Sequence, residues 1–178
     1  MNQNKISIAK KTLQLLETQS WNSITLDQVL NNQKKIIFKN KIDLLTNLNR
    51  YFDFILTQKL SSLEKSSTKD MLFEVLMARL DILNNYRVSI KKLLKLIISK
   101  PKLAIKLLPS FIESIILIAT HSEIKINGVN GILKLKLIFI LYILIIYTWN
   151  KDETESLEKT MTVLDKYINN IDKFIKLN

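Results

Sequence analysis

Leu137 to Trp149 reads LIFILYILIIYTW, thirteen residues without a charge. A chain that carries such a run must hide it from water. A helix that spans a bilayer needs about 20 apolar residues, so this run is too short for that. A helix that is apolar all round belongs inside protein. The expectation is therefore a helix buried on every side at the centre of a helical bundle. Whether such a core is packed solid or encloses a greasy ligand is a question that composition leaves open.

The rest of the chain suits a bundle. At 178 residues it is long enough for one domain with a substantial core. Two glycines and two prolines leave little punctuation, which points to long helices and short connections. Isoleucine is abundant, but no segment alternates for long. Lys outnumbers Arg 24 to 3, a bias that resembles AT-rich coding. The net charge of +11 nevertheless favours anionic partners, nucleic acid or phospholipid headgroups. There is no cysteine, hence no disulfide or thiolate chemistry. MNQNKISIAKK lacks the apolar core of a signal peptide, so the expected location is cytoplasmic, with or without a peripheral contact to the inner membrane.

Taken in order, Ile6, Ala9, Leu13 and Leu16 share a face, and Lys5 to Gln19 reads as a first amphipathic helix. Thr25-Leu26-Asp27-Gln28 is a capping box that opens a short second helix. A third runs from Asn40 through Leu44, Leu45, Leu48, Phe52 and Ile55 to about Leu63. The polar stretch from Ser61 to Thr68 is the best candidate boundary, dividing the chain into domains at 1–66 and 67–178. Ser67-x-x-Asp70 opens a helix ending at Asn84-Asn85, and Tyr86 to Ser99 forms another. Pro101 and Pro109 are expected to bound a separate short turn of helix. Residues 121 to 130 read as a loop before the apolar helix. Asp152 and Glu153 complement the dipole of a last helix, along which Leu157, Met161, Leu164, Ile168, Ile171 and Ile175 form one seam.

Catalytic chemistry has little support. His121 stands alone in the predicted loop, no carboxylate spacing suggests a metal site, and Gly128 and Gly131 make no phosphate loop. The expectation is a non-enzyme without a cofactor or metal. Glu113, inside FIESIILIAT, is either a rim carboxylate in water or a polar anchor in an apolar pocket, with a pKa raised by burial. Met71, Met77 and Met161 read as core filler, although methionine also lines adaptable cavities. Between Ile82 and Ile112 there are seven bases and no acid. Four of them, Arg87, Lys91, Lys92 and Lys95, are the candidate patch for anionic membrane or another anion, against the plainer reading of a solvated face.

Two resemblances bear on the fold. The first helix, Trp21, and Ile24-Thr25-Leu26-Asp27-Gln28-Val29 resemble the N-terminal domain of TetR-type repressors. Phe38-Lys39-Asn40-Lys41-Ile42-Asp43-Leu44-Leu45 is similar to that family's Phe-x-x-Lys-x-x-Leu-Leu. Between them only Leu30 to Ile37 remain, about six residues too few for a turn and a two-turn recognition helix. Specific DNA binding is therefore not expected. Residues 67 to 172 resemble the C-terminal domain of coenzyme Q biosynthesis accessory proteins, which are TetR-fold lipid binders. The likeness rests on Met71 to Asp81 followed by Tyr86-Arg87, and on Trp149-Asn150-Lys151-Asp152 followed by Leu157 to Asp165. The mitochondrial members continue into a further amphipathic membrane helix, for which Asp172 to Asn178 supply only a stub.

The resemblances imply an all-α, TetR-like helical bundle with a shortened helix-turn-helix-like N-terminal domain. They also imply non-catalytic binding of an isoprenoid or other lipid in support of ubiquinone biosynthesis, with a partner protein of that pathway. The alternative they carry is a TetR-type transcriptional regulator, a homodimer through its C-terminal helices. A protein-interaction adapter with a solid core is the third reading. Periodicity combined with the family likeness nominates Met77, Leu80, Phe111, Ile115, Phe139 and Ile143 as ligand-lining residues.

Overall fold

The structure, a computed structural model, describes residues 1–30, 38–61, 64 and 66–175, with side chains through Lys173. Among these residues the regular structure is entirely helical. Its elements are α1 (Gln3–Thr18), α2 (Leu26–Leu30), α3 (Lys41–Leu60), α4 (Thr68–Asn84), α5 (Arg87–Ser99), α6 (Pro101–His121), α7 (Gly128–Lys151) and α8 (Glu158–Ile175). The segment on which the shortened recognition element was expected, 31–37, lies outside the described residues.

Side chains written into the sequence start these helices. The Asn2 side chain accepts from the Lys5 N–H at the head of α1. At α2, the Gln28 N–H donates to Thr25 Oγ1 and the Thr25 N–H donates back to Gln28 Oε1 at 2.8 Å, which is a reciprocal capping box. At α3, Asn40 Oδ1 accepts from the N–H groups of Ile42 and Asp43, while Asp43 Oδ2 accepts from those of Lys39 and Asn40. Ser67 Oγ accepts from the Asp70 N–H at α4. Each device satisfies backbone donors that a helix start leaves unpaired.

The chain forms two compact units, residues 1–55 with 82–111, and residues 56–81 with 112–178. In the first, α1 packs against α5 and α2. Ile8, Ala9, Leu13 and Leu16 are buried along one face of α1. The Ser89 hydroxyl of α5 donates to the Leu13 carbonyl at 2.9 Å. Tyr51, Phe52 and Tyr86 cluster, with ring centroids 5.8 to 5.9 Å apart between neighbours. Burial, reinforced by the Tyr86 hydroxyl, pushes the Tyr51 phenol above its ordinary pKa.

In the second unit α7 packs against α8, and the corner between them turns on Asp152. Trp149 is fully buried just before it, and Leu157 takes a positive φ of 56° just after. Asp152 accepts from the N–H and hydroxyl of Thr154, and from the N–H and hydroxyl of Thr160 at 2.8 Å each. The last helix therefore starts at Glu158 rather than at Asp152, and the Asp152 carboxylate reaches forward to cap it. Of the expected seam, Leu157, Leu164 and Ile168 are buried, joined by Thr160, whereas Met161 is exposed.

The loop expected over 121 to 130 is shorter, since α6 runs to His121 and α7 starts at Gly128. Two further expectations are corrected. Pro101 and Pro109 do not bound a separate turn, because α6 runs unbroken from Pro101 to His121 with Pro109 inside it. Proline there removes the bond to the carbonyl four residues back, that of Ile105, at a cost of about 3 kcal/mol in an ordinary helix interior. Both Pro109 and Ile105 lie on the exposed side, so water can take up the freed carbonyl. Buried Leu107 and Ser110 anchor the helix on either side of the proline, and Asn49 Nδ2 holds the Ser110 carbonyl and hydroxyl at 2.9 Å each.

The second correction concerns the apolar helix, which is not enclosed on every side. Gly131, Lys134, Ile138, Leu141, Tyr142, Ile145 and Trp149 are buried, a single face at helical spacing. The opposite face is open. At 24 residues α7 is also much longer than its uncharged run, so that α6 and α7 are both long and apolar enough, by length and composition, to cross a membrane. The buried Lys134 and the packing on α8 show what the inward face is for: it is the core face of a protein helix.

Candidate functional site

The open side of α7 is an apolar face that packing within the described residues leaves uncovered. Ile132, Leu133, Ile140, Ile143, Leu144 and Tyr147 line it, with Ile140 at 53%, Ile143 at 52% and Tyr147 at 58% exposure. Their spacing of three and four residues places them on one stripe. Lys136 lies within the stripe, and Lys151 folds back over the Tyr147 ring at its end, with Nζ 4.1 Å from the ring centroid. Single exposed apolar residues are ordinary on protein surfaces, but a contiguous stripe along a whole helix marks a contact surface.

The six residues nominated from the sequence divide by environment. Leu80 and Ile115 are fully buried. Met77, Phe111 and Phe139 are half-buried, and Ile143 belongs to the open stripe of α7. Glu113 is exposed, so the rim reading holds for it. Sequence reasoning misses Arg79. It is 1% exposed, and its Nε donates to the Tyr142 hydroxyl at 3.4 Å, across 63 positions in the chain. The available signal is its register, since it follows Val75 by four residues and Leu76 by three, on the face those residues bury.

The basic segment also divides. Lys92 Nζ donates to the carbonyls of Leu16, Glu17 and Gln19, at 2.7, 2.8 and 3.4 Å. Its ammonium caps the C-terminal end of α1, where carbonyls lack partners and the helix dipole is negative. Arg87 Nη1 donates to Asn84 Oδ1 at 2.9 Å. Lys91 is half-buried and Lys95 exposed. Beyond them the α5–α6 corner carries Lys100, Lys102 and Lys106 around an open groove of about 580 Å³, lined also by Ile42, Pro101 and Leu103. Lys41 lies at the same corner and donates to the Trp21 carbonyl, with its Nζ 4.8 Å from the centre of the Trp21 ring. Burial, and then repulsion from Lys100, holds its pKa below the usual lysine value.

No protein-family model matches the chain. No curated protein matches it either. Among solved structures it is similar to the TetR transcriptional regulator from Nitrosomonas europaea ATCC 19718, with a TM-score of 0.75 and 13% identity. That match covers 95% of this chain and 98% of the other. The fold is thus all-α and TetR-like. The Trp149 and Asp152 block has a structural role, because those residues and Thr160 are spent on the α7–α8 corner.

Proposed function

We propose that this TetR-like protein is a non-catalytic lipid binder, and that the open stripe of α7 is where its lipid or lipid-bearing partner makes contact. One observation carries the reading: a 24-residue helix buries one apolar face against protein and presents a second to solvent. An isoprenoid chain is long, apolar and flexible, and suits a stripe that offers Ile, Leu and Tyr with few charges. The resemblance of residues 67 to 172 to coenzyme Q biosynthesis accessory proteins supports an isoprenoid of ubiquinone biosynthesis as that lipid. It likewise supports a protein of that pathway as the partner, with the protein working at the cytoplasmic side of the inner membrane. Residues 1–66 are then a remnant of a DNA-binding domain, and Met77, Leu80, Ile115 and Phe139 belong to the apolar body behind the contact surface.

The second reading, a TetR-type regulator, draws on the same stripe. A second copy of the chain laid against α7 would cover it as well as a lipid does, and the similar structure is that of a transcriptional regulator. Ile143→Glu separates the two, since it places a charge in the middle of the stripe without touching the buried face. Extraction and mass spectrometry of lipids from the purified parent, with light scattering for mass, provide the readout. The lipid reading expects a co-purifying isoprenoid that Ile143→Glu loses. A lipid-free parent that is a dimer, and that Ile143→Glu converts to a monomer, would overturn it in favour of the regulator.

A further inference from the structure

The charge of the protein is segregated. Residues 1–55 with 82–111 hold fifteen Lys and Arg against four Asp and Glu, whereas residues 56–81 with 112–178 hold twelve against twelve. The whole net charge of +11 therefore belongs to the first unit. Drift toward lysine codons would raise the charge of both units alike. The concentration in one of them calls for a local reason.

Within that unit the charge at the α5–α6 corner is mixed with exposed isoleucine. Ile98, in the last turn of α5, is 76% exposed, and Ile105, in the second turn of α6, is 69% exposed. Leu108 is exposed one turn further on. Around them stand Lys95, Lys100, Lys102 and Lys106, all exposed. On α6, Ile105 and Leu108 lie on one stripe, and Lys102 and Lys106 flank one edge of it. No acid occurs between Ile82 and Ile112, and Glu113 is the first carboxylate met along α6. The first turn of α6 likewise contains no acid, so the positive end of its dipole adds to the lysines. Lys100, Lys102 and Lys106 also line the open groove of this corner, together with Ile42, Pro101 and Leu103.

Two classes of polyanion could meet such a charge. A nucleic acid needs the lysines alone, because its backbone presents phosphate and sugar. It has no use for two isoleucines that stand more than two-thirds exposed between them. A membrane surface uses both parts: apolar side chains enter the boundary between headgroups and acyl chains, while lysines hold the anionic headgroups. We propose that the α5–α6 corner docks on an anionic phospholipid surface, with Ile98 and Ile105 inserted and Lys95, Lys100, Lys102 and Lys106 on the headgroups. The proposal does not depend on the stripe of α7 carrying a lipid, and its variants leave that stripe intact.

The test uses vesicles of phosphatidylcholine with about one-third phosphatidylglycerol, against vesicles of phosphatidylcholine alone. The chain has no cysteine, so Ile105→Cys introduces a single thiol for a polarity-sensitive fluorophore. Asn170→Cys, at an exposed position on α8, is the control. The dye at 105 is expected to shift to the blue on anionic vesicles and not on neutral ones, while the dye at 170 stays in water. In sedimentation, changing Lys100, Lys102 and Lys106 together to Glu is expected to lower partitioning at least about 100-fold, at roughly fivefold per lysine near the surface. Ile98→Ser with Ile105→Ser is expected to weaken binding that survives about 0.5 M salt, where the lysine contribution is screened. Helical circular dichroism of each variant should match the parent, since every changed residue is exposed. Three results would overturn the proposal: no blue shift at 105, equal binding of the glutamate variant, or a duplex DNA that displaces the vesicles while the isoleucine variant binds them unchanged.

Discussion

Asp152→Ala is expected to cost substantial stability outside the apolar core. The carboxylate is 1% exposed and accepts four hydrogen bonds, from the Thr154 N–H at 3.1 Å, the Thr154 hydroxyl at 2.6 Å, and the Thr160 N–H and hydroxyl at 2.8 Å. Alanine leaves two backbone donors and two hydroxyls to find new partners at a buried corner. Loss of a helix cap alone costs about 1 kcal/mol. Bonds to a charged acceptor contribute about 1.5 to 3 kcal/mol each when removed singly, and they do not add fully within one network. The net loss is expected at about 2 to 4 kcal/mol, or a fall in Tm of roughly 5 to 15 °C for a chain of this size. Burial works to raise the pKa of this carboxyl, but the bonds from Thr154 and Thr160 outweigh it and hold the group well below the ordinary carboxylate range. A depressed pKa stabilises the fold above the unfolded value, near 4, and that stability is lost as pH falls toward the folded value. Urea unfolding followed by helical circular dichroism should therefore show parent and variant furthest apart near neutral pH, converging below about pH 4. A loss under about 0.5 kcal/mol at neutral pH, the scale of an ordinary surface change, would refute this account of the corner.

Lys92→Met keeps the aliphatic stem and removes the ammonium from three carbonyls at the end of α1. The expected loss is about 1 to 3 kcal/mol, while Lys95→Met, on an exposed side chain of the same helix, should change urea stability by less than about 0.5 kcal/mol. Gly131→Ala tests a close approach: a Cβ there would overlap the backbone of Ile126, which packs against the first turns of α7. Alanine is the better helix former by about 0.5 to 1 kcal/mol, so a variant that is nonetheless less stable, by about 1 to 3 kcal/mol in the same assay, confirms the clash.

Local signals in this sequence are legible because their partners lie within four residues. Thr25 with Gln28, Asn40 with Asp43 and Ser67 with Asp70 cap the helices they are expected to start. Partners far apart in the chain are not legible. Nothing near Lys92 shows that its ammonium belongs to the end of α1, some 75 positions earlier. Asp152 reads as a dipole complement in the sequence, and its longer reach to Thr160 depends on the turn at Leu157. Arg79 escapes notice because a charged side chain on an apolar face is usually turned away, and only the folded chain brings Tyr142 beside it.

The apolar helix misleads for a different reason. Periodicity reports which face is buried by contrast with a face that is not, and Leu137 to Trp149 offers no contrast. Apolarity all round does not entail enclosure all round. The chain covers the face from Gly131 to Trp149 and leaves Ile132, Leu133, Ile140, Ile143, Leu144 and Tyr147 open. The proposed function gives that outward face a contact of its own, with a lipid or a lipid-bearing partner. The same logic applies at the α5–α6 corner, where helical spacing buries Leu93 and Leu107 yet leaves Ile98 and Ile105 in water among lysines. Core burial accounts for one apolar face on each of these helices, and both proposals rest on the other.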